Sequence, residues 1–259
     1  MMKMKKLKPV QSTMIVLCIS AGASLAPAQS VQPTYPSTAE ATKSLVQAVQ
    51  SNDERAIASI LGAATELTTS RNPNQDKMER ELFVQKYQEM HRLHREADGS
   101  MILYIGAENW PFPVPLVNRN GAWYFDPEAG RKEVLLRRIG ENELAAITNC
   151  HEFAGGEPAG DPTNSSPASL VAQAASGPGN GVLLNGYYFR LVPVQSAKGQ
   201  KPVIALVAYP AEYRSSGVMT FVVTKDGVIY EKDLGKDTTT LASTMTAFRK
   251  DPTWRPTGE

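Results

Sequence analysis

Between residues 37 and 90 the apolar residues recur at three- and four-residue intervals; between 101 and 125 the interval falls to two. Those two periods predict helices first and strands afterwards. Ala41, Leu45, Ala48 and Val49 make one stripe, and the pair Ser37 and Glu40 ahead of it has capping-box spacing. Ile57, Ile60 and Leu61 make a second, closed by Gly62 as a helix-ending glycine. After a polar loop, Met78, Leu82, Phe83, Tyr87 and Met90 predict a third and longer helix, taken to run on through His91 and His94. Residues 101–105 then read as a strand. Residues 110–117 carry proline at every second position, which confines them to an edge strand or extended arm. Asn120-Gly121 is a tight hairpin signal ahead of a strand at 122–125, and Asp126-Pro127 opens a helix to about Phe153, with a kink expected at Gly140.

Residues 154–181 hold Gly, Ala, Ser and Pro with almost no large apolar side chain, and read as a linker. Strand patterns follow at 187–194, 203–209 and 218–223. A hairpin at Asp226-Gly227 leads to 228–230, and a short helix is expected at 240–248. The fold class is therefore α+β: a front portion of helices and a β-hairpin, a connecting helix, and a mostly antiparallel back sheet. The expected division is 1–28 signal peptide, 29–36 leader, 37–153 front domain with its connecting helix, 154–181 linker and 182–259 back domain.

The first segment alters the chemistry of the rest. Lys3, Lys5, Lys6 and Lys8 precede a short apolar run, and Ala26-Pro27-Ala28 supplies small residues at a cleavage site. That is the pattern of a secretory signal peptide, too short to cross a bilayer as an anchor. The expected location is the periplasm or outside the cell. The whole chain has 27 basic and 26 acidic residues. Cleavage after Ala28 removes four lysines and leaves a mildly acidic protein, which argues against nucleic acid and anionic lipid as partners, and no stable membrane insertion is expected. It also removes Cys18, so that Cys150 is left without an internal disulfide partner and is expected to pack as a small hydrophobe.

The chemical motifs are sparse. His91 and His94 stand at metal-ligand spacing, but no third ligand lies nearby and Arg92 and Arg95 interleave. Cys150 and His151 are adjacent, and neighbours on a helix diverge by about 100°. Glu141 and Glu143 read as a charged outer face. No catalytic residue, metal site or cofactor is assigned. The aromatic strands stand out, and Trp110, Phe112, Trp123, Tyr187 and Tyr209 are the candidate binding residues, through which an envelope protein or peptide would be held. Two rival expectations remain. One is an envelope hydrolase assembled in space from members of the set His91, His94, His151, Glu143, Asp226 and Glu212. The other is carriage of a small ligand in an apolar cavity near Trp123.

Several long strings resemble an exported bacterial family known as domain of unknown function 2950. They are Asn-Trp-Pro-Phe-Pro-Val-Pro-Leu-Val at 109–117, Gly-Ala-Trp-Tyr-Phe-Asp at 121–126 and Arg-Ile-Gly-Glu-Asn-Glu-Leu-Ala-Ala-Ile at 138–147. Gly-Tyr-Tyr-Phe-Arg at 186–190, Leu-Val-Ala-Tyr-Pro-Ala-Glu-Tyr at 206–213 and the stretch 217–235 continue the likeness. It spans nearly the whole mature chain and implies no activity and no catalytic residue. The Gly/Ser/Pro segment after Cys150 departs from the polar helical stretch usual in the family. At the level of fold, the front part is similar to small cone-shaped domains of the nuclear-transport-factor-two type. The back part resembles the globular heads of pseudopilins, without their apolar stem. Fold likeness carries no function.

Overall fold

A computed structural model describes residues 32–62, 73–155, 181–195 and 203–258. The expected signal peptide, the first residues of the leader and residues 156–180 of the expected linker lie outside these. The architecture is α+β, two antiparallel sheets with helices against them.

Helix α1 (Thr38–Gln50) is capped as its sequence predicts, with the Ser37 hydroxyl accepting the Glu40 N–H at 3.2 Å. Helix α2 (Glu54–Ile60) is capped by Asp53, which accepts the Ala56 N–H at 2.9 Å. Gly62 beyond it has φ +78°, and a Cβ there would come within 2.7 Å of the Pro127 ring, so both backbone and space require glycine. Helix α3 (Pro73–Glu89) stops before the histidines, contrary to the helical expectation. The Gly106 N–H reaches the carbonyls of Lys86 and Met90 and finishes the helix end. His91–Arg95 forms strand β1, paired over all five residues with β2 (Met101–Ile105). Pairing in the sheet outweighs the helical spacing of a polar segment whose one apolar residue, Leu93, packs on the core.

Strands β3 (Trp110–Pro111), β4 (Leu116–Arg119) and β5 (Ala122–Phe125) complete the front sheet, in the order β1-β2-β4-β5 with β3 sharing the β2 edge. The Pro-spaced segment contributes Trp110 and Pro111 to β3 and Leu116 and Val117 to β4, and β4 lies inside the sheet between β2 and β5, contrary to the edge expectation. Asn120 and Gly121, at φ 54° and 85°, make the expected tight turn. Tyr35 exchanges two backbone hydrogen bonds with Trp123, 2.8 and 2.7 Å, and so covers the β5 edge. The front core joins Leu45, Ile57 and Leu61 of the α1–α2 region to Val114, Leu116 and Phe125, with Phe83 and Val84 of α3 packed on it.

Helix α4 (Pro127–Gly155) begins where Asp126 accepts the N–H groups of Glu128 and Ala129, and runs unbroken through Gly140. The back sheet follows: β6 (Val182–Leu184), β7 (Tyr187–Pro193), β8 (Ile204–Pro210), β9 (Met219–Val223), β10 (Ile229–Asp233) and β11 (Arg255–Pro256), an antiparallel meander in the order β11-β10-β9-β8-β7-β6. Ala146, Cys150 and Phe153 of α4 pack on one face against Phe189, Leu206, Ala208 and Phe221. Helix α5 (Thr238–Ser243) and the terminal Phe248 and Trp254 cover the other, over Val192, Ala205, Val207 and Val222. This helix is shorter than expected. Phe248 bonds instead through its backbone to Pro193 and Gln195, extending the sheet's margin.

Candidate functional site

Three features of the fold decide which side chains face solvent: the strand register, the face each helix covers, and the edges left unpaired. The five aromatic candidates separate on these grounds. Tyr187 is fully buried, its hydroxyl donating to the Met219 carbonyl at 2.9 Å with the Glu143 carboxylate at 3.4 Å. Burial, with the Glu143 charge second, pushes the Tyr187 pKa far up. Tyr209 is fully buried against Tyr188, in the core under α5. Both lie on strands covered on both faces, so neither ring can meet a partner; they are corrected to core residues. Phe112 is half-buried between Phe83 and Phe125, its ring edge-on to both. Trp123 is half-buried on the same core. Trp110 alone is substantially exposed, at 40%. The Arg137 guanidinium sits 5.3 Å from its ring centre while donating to the Pro111 carbonyl at 2.8 Å.

The six ionisable candidates do not converge. His91 and His94 alternate along β1 and so point to opposite faces. His91 stacks on Tyr87 and contacts its carbonyl through Nδ1 at 2.9 Å, whereas His94 meets the edge of Tyr104. Glu143 accepts the N–H groups of Val218 and Met219 at 2.9 and 3.0 Å, and Asn142 beside it donates to the Ser216 carbonyl at 2.8 Å. Glu143, expected on a charged outer face, instead joins Asn142 in fixing the turn before β9 to α4. Asp226 holds its own turn through Thr224 and the Val228 N–H. No hydrogen bond or ion pair joins any two of the six among the described residues, nor does any group of three His, Cys, Asp or Glu there suit a metal ion. Cys150 is buried, which pushes its pKa up to about 12 and leaves the thiol protonated and unreactive at neutral pH.

What the structure does assemble is a cationic aromatic face on the front sheet. Register places Leu103, Ile105, Leu116 and Phe125 together on the face packed by α1–α3. The opposite face carries Arg92 and His94 of β1, Tyr104 of β2, and Arg119 and Tyr124 of the β4–β5 hairpin, with Ile102 and Val117 between them. Helices α1–α3 pack on the core face, and on the opposite one Ile102, Tyr104, Val117 and Tyr124 are half-buried while Arg92, His94 and Arg119 are exposed.

Arg92 lies 4.7 Å from the Tyr104 ring centre and donates to the Asn109 side chain at 2.8 Å. Arg119 lies 5.2 Å from the Tyr124 ring centre and donates to its hydroxyl at 2.9 Å. Neither arginine has a carboxylate partner among the described residues, and no strand position on the face is acidic. A guanidinium laid on a ring is held in one orientation while keeping N–H donors free, which suits it to receive carboxylates. Chemically the face can bind anionic and planar groups; it has no paired acid and base and no nucleophile. The reading of residues 101–105 as a strand did not separate its two faces, of which Leu103 and Ile105 take the core side. The alternate parity, Ile102 and Tyr104, was the signal available.

With that geometry in place, comparisons with known proteins add one finding. A family model described as Protein of unknown function (DUF2950) matches residues 32–159 and 157–257. Neither the curated proteins nor the solved structures contain a match to the chain.

Proposed function

The chain belongs to the DUF2950 family, a family of unknown function, and from that premise we propose that it is a non-catalytic binding module of the cell envelope, holding a protein or peptide partner on the open face of its front sheet. One observation carries the proposal: a sheet face turned away from the helices of the front core, with Arg92 on Tyr104 and Arg119 on Tyr124 and no carboxylate among its strand positions. Exposed arginine and tyrosine are the side chains most enriched where proteins bind each other. Export is supported by the Lys-rich head, apolar run and Ala-Pro-Ala of residues 1–28. Among the described residues no helix is long and apolar enough to cross a membrane.

The test is capture from cell-envelope extract by three forms of the protein: the native chain, Arg92→Ala/Tyr104→Ala, and Arg119→Ala/Tyr124→Ala. A partner retained by the native chain and lost from either double variant is the expected result, with both variants folded by circular dichroism. Undiminished capture by both, or no reproducible partner at all, would refute it.

A further inference from the structure

The front sheet has two outer strands, and they are treated differently. The β5 edge is covered by Tyr35 through a reciprocal pair of backbone hydrogen bonds. The β1 edge has no strand beside it among the described residues, although β1 is five residues long and fully paired on its inner side. Its residues are exposed except for Leu93, which is half-buried. A free edge of this length offers a row of backbone donors and acceptors to any extended chain.

The side chains restrict which chain can use it. The sequence of β1 is His-Arg-Leu-His-Arg, with no acidic residue. Arg92 and His94 project to the open face beside Tyr104, while His91 and Arg95 project to the other. A second copy of this chain is a poor occupant. Antiparallel pairing of two β1 strands about Leu93 sets Arg92 against His94 and Arg95 against His91, so that neither arginine meets a carboxylate. A neutral apolar strand would desolvate the arginines without compensation.

We infer that β1 takes an acidic, extended segment of a partner protein as an added sixth strand of the front sheet, with carboxylates opposite Arg92 and Arg95 and an apolar residue opposite Leu93. The inference rests on the binding role proposed above and gives it a partner chemistry. Main-chain bonds along β1 provide the hold, and the alternating cations select the sequence. A carboxylate opposite Arg92 would lie on the open face, where the guanidinium is already oriented by Tyr104 and Asn109. Less side-chain freedom is then lost on binding.

The test uses the full chain and a synthetic nine-residue peptide, Thr-Val-Glu-Glu-Leu-Glu-Glu-Val-Thr, followed by nuclear magnetic resonance and amide hydrogen exchange. Binding should shift the resonances of 91–95 and slow exchange at the outward β1 amides. A peptide of the same sequence with every backbone amide methylated keeps every charge but has no N–H to donate and a methyl group on both edges; it should bind at least about tenfold more weakly. Arg92→Glu/Arg95→Glu should weaken the parent peptide by about tenfold or more, through repulsion in place of attraction. Lys132→Ala, at an exposed position of α4, should leave it within about twofold. Equal binding of the methylated peptide, or shifts centred on Arg119 and Tyr124, would overturn strand addition while leaving the open face as a binding surface. Absence of any peptide binding would also overturn it, and would leave partner capture through the face to stand or fall on its own experiment.

Discussion

Among the described residues the back sheet is covered on both faces and the front sheet packs its helices on one, and that difference separates what holds the protein together from what it can offer to others. In the back sheet α4 covers one side and α5 with the terminal aromatics the other, so β8 is buried from Ala205 to Pro210. A strand buried on both faces reads as a continuous apolar run with no side chain left for solvent. In the front sheet α1–α3 cover one side, and the other keeps two arginines resting on two tyrosines. Both sheets are antiparallel. Coverage, not topology, assigns their roles.

The sharpest way to break the comparison is to empty equivalent positions in the two sheets. Phe221, buried between β9 and α4, should cost about 3–5 kcal/mol when replaced by alanine. Tyr104→Ala on the open face should cost less than about 1 kcal/mol, both read from urea unfolding. A similar loss from the two would mean that the front face is covered after all.

Alkaline pH should act on the back core through its buried thiol. Burial raises the Cys150 pKa from an ordinary 9.0 to about 12. The folded thiol therefore stays protonated where the unfolded one ionises. Stability attributable to it is complete below pH 9 and is lost between pH 9 and 12, by about 1.4 kcal/mol for each pH unit. Tyr187, pushed the same way by burial, adds to the loss above its own ordinary 10.0. Between pH 8 and 10.5, Cys150→Ala should lose about 2 kcal/mol less than the native chain in unfolding titrations at the two pH values. An unchanged slope would remove the thiol from the account.

Next in size is the seat of Glu143. Glu143→Ala leaves the N–H groups of Val218 and Met219 without their acceptor and should destabilise by about 1–3 kcal/mol. Hydrogen exchange at those two amides should rise with it. The smallest effect is expected at the other end of the molecule. Arg119→Ala should change stability by no more than about 0.5 kcal/mol, because its contacts are exposed, while still weakening capture of a partner.

Much of the architecture was legible in the residues because it depends on local chemistry. Ser37 and Asp126 cap helices, Asn120-Gly121 turns a hairpin, and the stripes at Leu45 and Ile57 bury as their periods require. What was not legible depends on neighbours distant in sequence. His91 to Arg95 has weak preferences of its own and becomes a strand because β2 lies beside it. Strand β6 escaped notice although Asn185-Gly186, at φ 48° and 73°, repeats the hairpin signal of residues 120–121. Tyr187 and Tyr209 look like Trp110 in sequence, as aromatics near proline or at strand ends. Only coverage by α4 and α5 turns two of the three into core. The Arg–Tyr face needed strand register, since Arg92 and Tyr104 are twelve positions apart and meet only across β1 and β2.

Helix α4 touches both sheets, and its two moorings lie close together. Arg137 ties one end of this stretch to the Pro111 carbonyl; Asn142 and Glu143 tie the other to Ser216, Val218 and Met219. Between them stands Gly140, where an added Cβ would meet nothing within 4 Å. Space does not demand glycine there, and glycine weakens a helix interior by about 1 kcal/mol relative to alanine. Gly140→Ala should therefore stabilise the span between the two moorings by about 1 kcal/mol while leaving both in place, read from urea unfolding.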